Sequence, residues 1–533
     1  MLRFEKYFFY LLLLLALSII ILPRFYITGD GASHTYNAHV LFDFVFGHSR
    51  TFYEPYFQIN RNLDPNWTGH LVIGTLLQLF PYWLADKLFQ IAYVLVFAFG
   101  FRYLIRSVHP ENSFLSFLFF PFLFTLAFQE GFYNYSLAIG FFFWTSGYYL
   151  RVRHDFDHPV HQWQLSLLLL LTSFSHGMAA LFALLLITCL WLSDHIRLLI
   201  PFDYRRLRVY GSQLLLVMMP SLLMIALFLV KRGAGTEPHP WGLAQKIKSF
   251  LQFYGSQSTR YLEVYPAMAC SLLCLTYFVW LIVTRIQVHR EKKRKEAIVF
   301  ASLFALTLLM YLTCPHSVGG AGSLDIRLVF LPPIFLLLYF ATKRWTDLAK
   351  NLFIVCSFLI SISFSIIRLP YIMHASRIGK EIMSASPYIR DESVVLNLHF
   401  DYWQRLSTGD SLFQQDGSFL HFSDFLGAEK NKHLIMLNNY EAEINYFPVN
   451  WQAGMNPRQT VAGFIQGELP PCGDYHFYEQ QSKRRIDYIL FQNWRADALG
   501  NPCVKQLLHD IDEDFDKVYD SPHHYIVVFQ RKS

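Results

Sequence analysis

Two side chains near the start of the chain are spaced to do chemistry together: Asp30 and His34. They lie in Thr28–Tyr36, read Thr-Gly-Asp-Gly-Ala-Ser-His-Thr-Tyr, just after the first membrane-length apolar run, Tyr7–Leu22. A carboxylate at that depth is costly without a partner or a task. If the chain is helical from Ala32 on, Asp30 and His34 stand about one turn apart on one side. A carboxylate and an imidazole so placed can take the proton of an attacking alcohol. Gly29 and Gly31 let the backbone turn tightly and let a ligand come close. The competing assignment is structural: Asp30 or Ser33 caps the helix that begins near His34.

Other candidates are scattered. Glu130, in Gln129-Glu130-Gly131-Phe132-Tyr133-Asn134, is a carboxylate beside a glycine, either a second acidic site residue or a cap. Arg327 closes the Gly-rich stretch that begins at His316, at the start of an apolar run. Its planar guanidinium suits a phosphate, with His316 as a second donor-phosphate candidate; the alternatives are that Arg327 snorkels or pairs with Asp325. His34, His70, His176 and His316 all fall at the ends of apolar runs. With Asp30 they could hold a divalent metal, although no local ligand spacing marks one, and a lone histidine there is more often a satisfied buried polar group. Outer tyrosines and tryptophans such as Tyr133, Tyr135 and Trp241 could stack on sugars, but an interfacial aromatic belt predicts the same residues. Of the seven cysteines, Cys472 and Cys503 lie in a polar region and could pair in an oxidising compartment; the rest lie in or beside apolar runs.

The elements that must position these groups are membrane helices. The 533 residues are 53% hydrophobic and only 16% charged, well below the charge of soluble domains. Candidate spans are Tyr7–Leu22, Tyr82–Ile105, Phe114–Phe128, Asn134–Leu150, Trp163–Phe174, Met178–Leu192, Gln213–Val230, Pro266–Thr284, Ala297–Thr313, Leu328–Ala341 and Leu352–Ile367. The fold class is therefore a mainly α bundle of about 11 spans. Trp67–Phe80 is apolar but too short to cross. Reading it as re-entrant puts the basic clusters, among them Arg102/Arg106, Arg151/Arg153 and Arg285–Lys295, on the N-terminal side, as the positive-inside rule requires. The net charge of +6 is thus a topological signal and not a nucleic-acid interface. The N-terminus is then cytoplasmic, and the loops that hold Asp30, Glu130, His176 and Arg327 share the outer face. In the first outer loop, 23–65, His34–Phe46 reads as an amphipathic interfacial helix, as does Trp241–Phe253 with Lys246 and Lys248 on its polar side. Residues 1–367 form the membrane domain. Residues 368–533 form a small outer α/β domain, with strands at Val394–Phe400, Tyr488–Asn493 and Tyr525–Gln530 and a helix at Gln506–Phe515.

This layout resembles the GT-C superfamily of polytopic membrane glycosyltransferases, which includes protein mannosyltransferases and aminoarabinose transferases. The shared features are a single N-terminal helix, a long outer loop opening on an acidic residue, the Pro65-Asn66-Trp67-Thr68-Gly69-His70 stretch, alternating spans and an outer C-terminal domain. The resemblance implies transfer of a sugar, with inversion, from a polyprenyl-phosphate donor to a glycan, lipid or protein acceptor on the extracytoplasmic face of a bacterial inner membrane. It maps the family's first-loop acidic residue, a base or acceptor-positioning group, onto Asp30, and a late arginine onto Arg327. Here Asp30 is followed by Gly31 and not by a second acid, which leaves the use of a metal open. Two other classes fit a polytopic chain: a flippase or transporter of lipid-linked glycans, and a non-catalytic membrane protein with an outer binding domain. Transporters carry charges near the bilayer midplane, whereas these spans are nearly free of charge.

Overall fold

The computed structural model describes residues 2–47, 49–62, 64–196, 204–232, 235–259, 261–284, 291–319, 322–400, 418–459 and 473–533. Among them, nine helical segments are long and apolar enough to cross a membrane. The other two expected crossings are helices as well, Tyr133–Val152 and Pro159–Ser175, packed on each other within the bundle.

The third crossing differs from expectation in its winding. Pro110–Phe124 is a 15-residue 3-10 helix, with every residue from Asn112 to Phe124 buried. At roughly 2.0 Å per residue, this winding spans about 30 Å, the depth of a hydrocarbon core. An α-helix of the same length would fall about a quarter short. Aromatic packing holds it in the bundle: Phe119 stacks on Phe101 with ring centroids 4.0 Å apart.

Thr68–Leu79 is a 12-residue helix reaching only about 18 Å, which fits the re-entrant reading. It carries His70 to the end of the bundle that bears the C-terminal domain. Its neighbour there is the Gly31–Phe46 helix, and here the structure corrects the sequence reading. That helix is not interfacial. Its residues Gly31 to Leu41 and Phe44 are buried, between the Thr68–Leu79 helix and the C-terminal domain. The Tyr36 hydroxyl donates to the Leu434 carbonyl at 2.7 Å and accepts from the Met436 amide at 3.1 Å. Lys246 departs similarly. It turns inward from Leu243–Leu251, is buried, and donates to the Cys314 carbonyl at 2.5 Å.

The last membrane helix, Asp347–Ile382, runs 36 residues and continues past residue 367. It carries a five-stranded mixed sheet, ordered Leu434–Met436, Ser393–His399, Tyr488–Gln492, Ile526–Arg531, Phe515–Asp520. The first three strands are parallel and the last two pairings antiparallel. The first outer loop joins this unit. Phe57–Ile59 pairs antiparallel with Val449–Trp451, and Tyr36, Val40, Phe44 and Phe57 share one apolar core with the sheet. Cys503 is disulfide-bonded; Cys472 lies outside the described residues.

Candidate functional site

Asp30 is held by a backbone clasp between two loops. The Gly29 amide donates to the Gln129 carbonyl at 2.8 Å and the Asp30 amide to the Glu130 carbonyl at 3.0 Å. The loops touch so closely that side chains are excluded. A Cβ on Gly131, whose φ is +87°, would lie 2.3 Å from the Asp30 nitrogen, and one on Gly31 would lie 2.4 Å from the Tyr133 hydroxyl. The glycines around Asp30 thus serve contact between loops, and not ligand approach as the sequence suggested.

Asp30 occupies the cap position of the Gly31–Phe46 helix, yet its side chain makes no capping hydrogen bond. The carboxylate is left for the cavity, where it accepts from the Tyr440 hydroxyl. Burial pushes it up to about 6, against the pull of His34, the Tyr440 hydrogen bond and Arg327. The cavity is about 230 Å³, and among its walls are Asp30, His34, Tyr135, His176, Arg327 and Tyr440.

Behind the cavity stands a triplet that crosses the whole sequence. Glu441, fully buried, faces His34 Nδ1 with one oxygen and His70 Nε2, at 3.0 Å, with the other. The Asn37 amide adds a 2.6 Å hydrogen bond, and Asn37 and Asn439 bond each other reciprocally at 3.0 Å. The far side of each ring meets a main-chain carbonyl: His34 Nε2 is 2.9 Å from Gly131 O and His70 Nδ1 is 3.2 Å from Asn66 O. A carbonyl only accepts, so those nitrogens carry the protons. The near nitrogens, His34 Nδ1 and His70 Nε2, converge on Glu441, where a protonated ring donates a second hydrogen bond to the carboxylate and a neutral one would offer a lone pair to a shared cation. Burial alone would raise Glu441, but the two imidazoles more than reverse it and hold the carboxyl at about 2. Burial lowers His34, and Glu441 overrides it so that the ring sits above its usual range.

Arg327 enters from the last turn of the short Leu324–Leu328 helix. Its guanidinium lies over the Phe132 ring at 4.6 Å, its main-chain carbonyl accepts from Tyr135 at 2.5 Å, and its buried Nε has no hydrogen-bond partner among the described residues. It does not pair with Asp325, which faces His239 Nε2 at 3.3 Å. His176 lines the cavity, accepts the Met178 amide at 3.2 Å and packs edge-on to Tyr135. Three of the sequence candidates lie off the cavity wall: His70 stands behind it in the first triplet, and Glu130 and His316 lie elsewhere. Glu130 contributes its carbonyl to the clasp, and its side chain is not among the lining groups. His316 sits 3.9 Å from Asp325 in a second triplet with His239.

The second triplet has the same composition as the first but the opposite proton placement. His239 Nδ1 accepts the Trp241 amide at 2.9 Å, so the proton of the neutral ring is on Nε2, the nitrogen that faces Asp325. That ring has no lone pair to offer a metal there.

Sequence reading missed Glu441 and Tyr440. Both lie in Asn438-Asn439-Tyr440-Glu441, in a polar segment with no ligand spacing, some four hundred residues from the loop they complete. Nothing local in the sequence marks them.

No protein-family model and no curated protein sequence matches the chain. Among solved structures, it is similar to ArnT from Cupriavidus metallidurans. The apo crystal structure gives a TM-score of 0.53 and the one bound to undecaprenyl phosphate 0.54, each at 9% identity. The alignments cover 99% of this chain and 97% and 98% of theirs. At that identity the likeness is one of fold: the polytopic bundle with its C-terminal domain extends over nearly the full length of both proteins.

Proposed function

We propose that this chain is a GT-C-type membrane glycosyltransferase that moves a sugar from a polyprenyl-phosphate carrier to an alcohol acceptor at the face bearing the C-terminal domain. The observation that carries this reading is that Asp30 and Arg327 line one small cavity, the first without a capping duty and the second, among the described residues, with a buried Nε that has no hydrogen-bond partner. The binding of undecaprenyl phosphate by the ArnT of similar fold supports a carrier of that class.

The chemistry follows from the two charges. Asp30 takes the proton of the acceptor hydroxyl as its oxygen bonds to the anomeric carbon. The bond from that carbon to the phosphate oxygen breaks, and its electron pair leaves with the lipid phosphate. Arg327 meets the growing negative charge with charge-assisted hydrogen bonds. Attack opposite the departing phosphate inverts the anomeric centre. A carboxyl pushed up toward 6 is a stronger base than an ordinary one and is still ionised near neutral pH.

The reading includes a divalent cation held by His34, His70 and Glu441. Support comes from the convergence of His34, His70 and Glu441 ligand atoms within 4.8 Å of one another and from the carbonyls behind each ring, the usual outer partners of metal-bound histidines. Such an ion would supply positive charge beside the cavity. For location, the basic connections at the opposite end favour a cytoplasmic N-terminus in a bacterial inner membrane. A flippase reading is disfavoured by the gathering of Asp30, Arg327 and both triplets at one end of the bundle.

The test is Asp30→Asn in the purified full chain, assayed with a polyprenyl-phosphate sugar. Loss of a general base lowers turnover by about 10²- to 10⁴-fold, with unchanged yield and melting behaviour. Wild-type turnover by this variant would remove the catalytic claim.

A further inference from the structure

The opposite end of the bundle holds a second cavity, of about 730 Å³, lined by the Leu2–Ile21, Tyr82–Val108, Tyr133–Val152 and Pro159–Ser175 helices. Its mouth carries Lys6, Arg106 and Arg151, and no acidic side chain lines it. Arg102 also lines it, but that charge is met bidentately by Glu5 at 2.8 and 3.0 Å. Neither Lys6 nor Arg106 has a carboxylate partner among the described residues. Arg151 is pre-positioned: its guanidinium lies 4.2 Å over the Tyr103 ring, its Nε donates to Ser107 at 3.1 Å, and Tyr103 in turn stacks on Trp144. Inward from the mouth the walls become apolar: Leu95, Val96, Phe99, Phe141 and Leu171.

We propose that this groove binds an anionic phospholipid of the leaflet on the basic side, with its phosphate among Lys6, Arg106 and Arg151 and one acyl chain along the apolar wall. The dimensions fit. From Arg106 to Leu95 the helix descends about 16 Å, and one leaflet contributes about 15 Å of hydrocarbon. Simple topological anchoring would need the cations alone; it would not need a pre-stacked arginine at the top of an acyl-deep trough. Each cation near a membrane surface strengthens attraction to anionic lipid about fivefold.

The test uses the full chain in vesicles holding equal amounts of phosphatidylglycerol and phosphatidylcholine, followed by native mass spectrometry of retained lipid. The wild type is expected to retain phosphatidylglycerol preferentially. Arg106→Ala with Arg151→Ala should weaken that retention about 30-fold, and Arg106→Lys with Arg151→Lys should keep most of it. Leu171→Trp, which fills the trough and leaves the cations in place, should also expel the lipid. Equal retention of both lipids by the wild type, or retention that survives the double alanine change, would overturn the proposal. So would unchanged retention in Leu171→Trp, or displacement by glycerol phosphate as effective as by lipid, either of which would make this a phosphate site without a chain.

Discussion

Two histidine–histidine–carboxylate triplets occur among the described residues, and in each the ligand atoms lie within 4.8 Å of one another. One is His34, His70 and Glu441; the other is His239, His316 and Asp325. They differ in what lies behind the rings. Main-chain carbonyls back His34 and His70 and fix a proton on the far nitrogen of each ring. A main-chain amide backs His239 and turns its proton inward. The second triplet is therefore a donor satisfied by a carboxylate, whereas in the first the near nitrogens can be donors to Glu441 or ligands of an ion. Residue type alone does not separate the two; the partner on the far nitrogen does.

The contrast is sharpest in stability. Glu441→Gln removes the charge from a fully buried cluster, at an expected cost of about 3–5 kcal/mol, whereas Asp325→Asn keeps an amide oxygen to accept from His239 and should cost about 1 kcal/mol. Thermal unfolding of both variants in one detergent checks this, and equal shifts would erase the distinction. Elemental analysis tests the ligand role directly. His70→Ala should lose a bound divalent ion that His239→Ala retains, and equal metal content in the two variants would break the comparison. At the cavity, Arg327→Ala should raise the donor concentration needed for half-maximal rate by about 10- to 100-fold, the value of a charge-assisted hydrogen bond. An unchanged donor requirement would remove Arg327 from the phosphate. The smallest effect is in pH. Asp30 must be deprotonated to accept a proton, so the rate should fall about tenfold per unit below about pH 6 and level off above it. A profile flat from pH 5 to 7 would point to positioning in place of proton transfer.

What the sequence determined by itself is the periodic and local part. Long apolar runs specify membrane helices because a buried backbone must satisfy itself within each segment. Alternation and turn residues located the strands at Val394, Tyr488 and Tyr525 to within a residue or two. The unusual Thr28–Tyr36 stretch identified Asp30 and His34, because a carboxylate between glycines at a membrane exit is locally conspicuous. Tertiary structure decided the rest. It buried the Gly31–Phe46 helix under the C-terminal domain, assigned the glycines to a clasp between loops, wound Pro110–Phe124 as a 3-10 crossing and brought Glu441 and Tyr440 to the site. Such pairings depend on which surfaces meet across hundreds of residues, and on which nitrogen of a ring is left facing inward. Neither leaves a trace in local spacing, because both are set by the packing of whole elements.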